Sequence, residues 1–162
     1  MRHARKRAIS MLLLGLLAFV CLARAAPAPE AVFNTDQGNL RLADLRGKVV
    51  YLDFWAAWCS PCRSSFPWMN EMHARYADKG LVVLAVNLDK DPKELKAFLA
   101  QMPAQFRLAY DPQGKVAEQY QLKGMPSSYL IDRQGQIHQV HVGFRDKDKA
   151  ELEASIRQLI AK

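Results

Sequence analysis

Apolar and polar positions divide this chain into short, separable elements. Val49-Val50-Tyr51-Leu52-Asp53-Phe54 is apolar at every position but Asp53, and Leu81-Val82-Val83-Leu84-Ala85-Val86 is apolar throughout. Unbroken runs of this length are expected of strands covered by helices on both faces. Between them, the stretch from about Pro61 to Tyr76 predicts a helix. Pro61 suits its first turn, where the missing N–H costs nothing. Pro67 lies inside the pattern and predicts a kink. Asp91-Pro92-Lys93-Glu94-Leu95 opens a second helix, with Leu95, Phe98, Leu99 and Met102 on one face. Phe106 to Tyr110 reads as a short strand and Gln113 to Tyr120 as a short helix. Ser127-Ser128-Tyr129-Leu130-Ile131 and Gln136 to Val142 are strands joined by the turn Asp132-Arg133-Gln134-Gly135. A last helix starts at Asp146 or Lys147 and presents Leu152, Ile156, Leu159 and Ile160. Ahead of all this, Ala31-Val32-Phe33 and Leu40-Arg41-Leu42 flank the polar stretch 34–39 as a hairpin.

This order predicts an α/β fold. Helical crossovers between apolar strands imply parallel pairing, and the last two strands pair antiparallel. The expectation is a mixed central β-sheet flanked by helices, with an N-terminal β-hairpin. No repeat or internal linker interrupts it.

The first 25 residues follow a different pattern. Arg2, Arg5, Lys6 and Arg7 form a basic head, and Ile9 to Leu22 is apolar apart from Ser10 and Gly15. Ala23-Arg24-Ala25 places small residues at the −3 and −1 positions of a cleavage site. That is the three-part pattern of an export signal, too short to span a bilayer readily. Residues 1–25 are therefore expected to be a signal peptide cleaved after Ala25. An uncleaved signal would instead leave an inner-membrane tether, and Val20 directly before Cys21 argues against lipidation there. Residues 26–30, rich in Pro and Ala, are expected to be a flexible spacer, and residues 31–162 the folded domain.

Removing the signal changes the charge. Of 23 Lys and Arg, five precede position 26, which leaves 18 against 16 acids, or about +2. That is no nucleic-acid footprint. It also leaves two cysteines, Cys59 and Cys62. The pair closes too small a loop to be a useful staple, and it stands at a strand-to-helix junction. Thiols so placed are suited to dithiol/disulfide exchange. Half a zinc site is the competing reading. It needs about four ligands, and His73, His138 and His141 are the other candidates. The spacing of His138 and His141 sends them to opposite faces of a strand, as surface histidines. Met69, Met72 and Met102 read as core filling.

Phe54-Trp55-Ala56-Ala57-Trp58-Cys59-Ser60-Pro61-Cys62, the kink Pro67, Gly124-Met125-Pro126-Ser127-Ser128 and the lead-in Leu42-Ala43-Asp44-Leu45-Arg46-Gly47-Lys48 carry a resemblance. Over Ala31 to Ala161 the chain resembles the thioredoxin superfamily, within it the exported branch related to TlpA, ResA and the cytochrome c maturation thioredoxins. The resemblance implies a thioredoxin-like fold, with the helix and strand between Asp91 and Tyr110 as that branch's central β-α insertion. It also implies site roles. Cys59 would be an exposed attacking thiolate at a helix N-terminus, where dipole and free N–H groups favour an anion. Cys62 would be the buried resolving thiol. Asp53 would be a buried carboxyl of raised pKa that accepts the Cys62 proton through a water. Pro126 would be cis. The Met125 backbone would pair with an extended substrate, and Trp58, Ser60 and Pro61 would border the groove.

No cofactor is called for beyond the redox-active pair. The expected partners are protein thiols and disulfides, with a membrane thiol transporter as electron donor and a monomer as the acting species. The expected location is the periplasm. The Ser60-Pro61 slot lacks the His typical of strong oxidants, which favours a reductase, with cytochrome c assembly as one client. A copper-handling module on the same fold is the alternative, although the cysteine spacing differs from the usual copper chaperones. The peroxidase signature P-x-x-x-T-x-x-C is absent, and an isomerase is disfavoured for want of a dimerisation region.

Overall fold

A computed structural model describes residues 26–162. The expected signal, including Cys21, lies outside the described residues. Strands β1 (Val32–Thr35), β2 (Gly38–Arg41), β3 (Val49–Trp55), β4 (Leu81–Asn87), β5 (Arg107–Tyr110), β6 (Ser127–Ile131) and β7 (Ile137–Val142) form one sheet. Helices α1 (Ser60–Tyr76), α2 (Pro92–Gln101), α3 (Lys115–Gln119) and α4 (Lys149–Ile160) flank it. The strand order is β2-β1-β5-β4-β3-β6-β7. β3 runs parallel to β4 and β4 to β5, while β6 pairs antiparallel with β3 and β7 with β6. The mixed sheet and the N-terminal hairpin are as expected, and α2 with β5 forms the central insertion.

β3 lies inside the sheet with every residue buried, as its apolar run requires. Period-2 alternation divides its side chains between two cores. Val49, Tyr51 and Trp55 face the larger core with Cys59, Cys62, Phe66, Met69 and Met72 of the α1 side, Phe98 of α2, and Leu152, Ile156 and Leu159 of α4. Val50, Leu52 and Phe54 face the other, closed by Phe33, Tyr120 and residues of α3. The CxxC pair thus lies on the helix-rich face.

One expectation is overturned. Residues 26–30 are docked, not a free spacer. The Ala28 N–H donates to Gly135 O (3.0 Å), the Ile137 N–H donates to Ala26 O (2.8 Å), and Pro27 bridges antiparallel to Gln136. Alternation explains why Pro27 is tolerated: the paired groups belong to its neighbours, so its missing N–H would have pointed outward. Ala28 is buried and the Tyr120 hydroxyl donates to Pro29 O at 3.0 Å, which fixes the segment further. The helix α2 turns its apolar face to the larger core as expected. Phe98 is its one fully buried side chain, and Leu95, Leu99 and Met102 are only partly covered.

Candidate active site

The site grows from the C-terminal end of β3. Trp55 is the strand's last residue, and Ala56-Ala57-Trp58 carries the chain to α1 with Cys59 as its N-cap. The Cys59 N–H donates back to Ala56 O at 3.1 Å, which makes this connection a tight turn. Pro61 stands in the first helical turn as predicted. No side chain caps the helix, so its N-terminal N–H groups face Cys59 rather than a Ser, Thr or Asp oxygen.

Cys59 and Cys62 are disulfide-bonded with their Cα atoms 5.2 Å apart, within the usual range. Cys62 is fully buried, and Cys59 retains only 6% of its surface. The expectation of an exposed Cys59 is thus corrected for the oxidised form. Its sulfur is bonded to Cys62, and both cysteines pack in the larger core, with Met125 partly buried against it. Trp58 meets solvent instead, at 62% exposure, with Ser60 and Pro61 also exposed. Trp55 and Trp68 are packing residues, as expected. Trp55 sits 4.7 Å from Phe66 and Trp68 5.3 Å from Tyr51, ring centre to ring centre.

The Met125–Pro126 peptide is cis and Pro126 is buried. Neighbouring bonds hold this segment. The Ser127 hydroxyl donates to Gly124 O at 2.7 Å, and the Gly143 N–H donates to Pro126 O at 2.8 Å. Gly124 packs closely on β7: a Cβ there would stand 3.2 Å from Val142 Cγ1, a tight contact that needs a shift of a few tenths of an ångström.

Asp53 occupies the middle of β3, opposite Ala85 of β4 and Ser128 of β6. Alternation puts it on the CxxC face, between Tyr51 and Trp55. It is 1% exposed and its Oδ2 has no hydrogen-bond partner. Burial pushes its carboxyl well above the ordinary carboxylate range. Tyr51 beside it is raised as well, first by burial and then by the nearby Asp53, against the opposing Ser128 hydroxyl. The raised carboxyl was legible in the sequence; its Tyr51 and Ser128 neighbours were not.

Another buried carboxylate, next to the CxxC turn, went unread. Asp89 follows β4, and the Ala57 N–H donates to both its oxygens, at 3.1 and 2.9 Å. Asn87 Nδ2 donates to Asp89 Oδ2 at 2.7 Å, and the Asp89 N–H donates to Asn87 Oδ1 at 3.1 Å. The available signal was an Asn-x-Asp at the end of an apolar parallel strand, where α/β proteins gather functional groups. His138 is exposed and His141 half-buried, on opposite faces of β7, with His141 Nε2 3.3 Å from Asp148 Oδ2.

Known proteins share this framework. Residues 22–140 match the AhpC/TSA family. The chain belongs to that family. Among its relatives is a thiol-disulfide oxidoreductase ResA of Bacillus cereus, 34% identical over 125 residues, or 76% of this chain and 72% of the relative. The ResA of Geobacillus kaustophilus is 34% identical over 131 residues, covering 80% of this chain and 75% of its own. A solved structure described as a thiol:disulfide interchange protein DsbE from Chlorobium tepidum is 50% identical, with a TM-score of 0.81 over 85% of this chain and 97% of that one. The expected resemblance holds, and the fold is thioredoxin-like. The protein is a thiol-disulfide oxidoreductase that carries a Cys59–Cys62 disulfide. Its partners are protein thiols.

Proposed function

We propose that this oxidoreductase works as an exported reductase in the periplasm, passing two electrons from the Cys59–Cys62 dithiol to disulfides in partner proteins. The observation that carries the exchange chemistry, in either direction, is Cys59 as N-cap of α1, with no side-chain hydrogen bond capping the helix. Those groups and the helix dipole favour a thiolate, the species that attacks a disulfide.

The cycle balances as follows. The Cys59 thiolate attacks one sulfur of the partner disulfide, and a Cys59–partner bond replaces the partner's own. The displaced partner thiolate takes a proton from solvent. Cys62 then gives its proton to the Asp53 carboxylate and attacks Cys59 Sγ. The second partner thiolate leaves, and the Cys59–Cys62 bond closes. A carboxyl raised by burial is better matched to this proton transfer than an ordinary aspartate. Exposed Trp58, Ser60 and Pro61 border the approach to Cys59, and Met125 offers backbone groups to an extended substrate. A membrane thiol transporter would then return the enzyme to its dithiol form.

Export is supported by the basic head and apolar stretch before Ala25, whether the signal is cleaved or kept as a tether. The reducing direction is supported by the absence of His between the cysteines. A potential nearer thioredoxin's (about −270 mV) than that of DsbA (about −120 mV) is expected. Apocytochrome c thiols awaiting haem are a client class that needs such a reductant. The test is trapping in envelope extracts. Cys62→Ala should hold client proteins covalently on Cys59, released by dithiothreitol and identified by mass spectrometry. If no mixed disulfides accumulate, the exchange cycle as drawn is wrong. If only oxidases of other proteins are trapped, the direction is wrong.

A further inference from the structure

The Asp89–Asn87 pair lies outside the cycle just described, yet it grips the loop that presents its nucleophile. Asn87 is the last residue of β4, in register with Trp55. The Leu88 N–H extends that pairing to Trp55 O at 2.9 Å. The chain at Asp89 is therefore brought under Ala56-Ala57, and the carboxylate takes the Ala57 N–H on both oxygens. Both partners are nearly sealed from water, at 5% exposure for Asp89 and 2% for Asn87.

Two features make this more than a structural clamp. First, the donors to Asp89 are neutral, a backbone N–H and a side-chain amide. Among the described residues no ion pair involves it. Its charge is thus buried without a countercharge, where Coulomb interactions are screened least. Second, Cys59 is two residues beyond Ala57 and its own N–H is folded back onto Ala56 O. The turn keeps Cys59 two residues from the N–H that the carboxylate grips, and that N–H, committed to Asp89, is not free to serve a sulfur anion.

We propose that Asp89, oriented by Asn87, is a positioning residue that disfavours the Cys59 thiolate by like charge and so biases the Cys59–Cys62 pair toward its disulfide. The disulfide is neutral, whereas the reduced pair carries the thiolate. A neighbouring negative charge therefore destabilises the reduced form alone and makes it the stronger electron donor. The same charge opposes the helix N-terminus of α1, so the reactivity of Cys59 is set by two competing fields. A less stabilised thiolate is also the more nucleophilic one, which limits the rate cost of the smaller ionised fraction. The inference rests on exchange at this pair. It does not rest on the reducing direction in the cell, which the wild-type potential reports separately.

The test compares the full-length wild type with Asp89→Asn and Asp89→Ala. Asn keeps the shape and an acceptor for the Ala57 N–H while removing the charge; Ala removes the grip altogether. Three quantities are read: the titration midpoint of the Cys59 thiolate by ultraviolet absorbance, the equilibrium with glutathione at mildly alkaline pH, and the unfolding temperature. For D89N the expected result is a lower titration midpoint and a glutathione equilibrium moved about tenfold toward the reduced protein, which is roughly 30 mV. The unfolding temperature of oxidised D89N should stay close to wild type, and D89A should lose stability as well. If D89N leaves the titration and the equilibrium at wild-type values, or moves them the other way, the proposal is overturned. Should D89N fail to fold, Asp89→Ser offers Ala57 another neutral acceptor and gives the same readouts. An oxidising wild-type potential would count against the reductase reading while leaving the D89N shift intact.

Discussion

At the scale of single residues, Asp53 and Asp89 do opposite things with similar burial. Asp89 finds N–H donors on both oxygens, whereas Asp53 has an orphaned Oδ2 and a carboxyl held above the carboxylate range by burial. A raised acid costs stability as pH rises, because the unfolded chain ionises first and the folded protein keeps the extra proton. Below the ordinary aspartate pKa, both states are protonated and no cost remains. Asp53→Asn should therefore be more stable than wild type at neutral and alkaline pH, with the gain shrinking to nothing as pH falls through about 4. Urea unfolding across that range checks it; a gain independent of pH would contradict the assignment. The same variant should slow closure of the Cys59–Cys62 bond from a mixed disulfide by roughly tenfold or more, as loss of a general base does.

At the scale of elements, α2 shows both the reach and the limit of pattern reading. Its existence and start were legible from Asp91-Pro92, and Asp91 does cap it through the Lys93 N–H at 2.9 Å. The predicted face of four apolar residues does pack on the larger core, deepest at Phe98, while Leu95, Leu99 and Met102 stay partly covered, a matter of placement that no local sequence states. Phe98 joins an aromatic cluster, 5.1 Å from Trp55 and 4.8 Å from Phe66 between ring centres, in the core that holds Cys62. Phe98→Ala should cost about 3 kcal/mol or more, read by denaturant unfolding. It should also speed alkylation of Cys62 in the reduced protein, because that core loosens.

β3, β4, α1 and the β6–β7 hairpin were readable because burial on both faces, a proline-started helix and a glycine turn leave local signatures. Residues 26–30 were not, since Ala and Pro without a period look the same docked or free. Asn87 and Asp89 look like a polar loop until the β3–β4 register sets them under Ala57. Asp53, by contrast, was visible because a lone acid inside an apolar strand is already an anomaly.

At the scale of the whole molecule, the N-terminal segment is pinned to the edge of the sheet. The N-terminal segment pairs with the β6–β7 turn and the start of β7, at the end of the hairpin away from Ser127 and the cis-Pro segment. A chain starting at Ala31 loses the backbone bonds of Ala26 and Ala28 and the Tyr120–Pro29 contact. It should be less stable by roughly 2 kcal/mol, a drop of several degrees in unfolding temperature, while the CxxC chemistry persists. Calorimetry of the two forms decides it, and equal unfolding temperatures would mean the docking contributes nothing.

The whole account turns on Cys59 being the sulfur that ionises and attacks while Cys62 waits in the core. Alkylation of the reduced protein, followed peptide by peptide as a function of pH, measures this directly. Cys59 should react at least about tenfold faster than Cys62 near neutral pH, with a midpoint below the roughly 8.5 of a free thiol. Equal rates at the two positions, or faster reaction at Cys62, would contradict it.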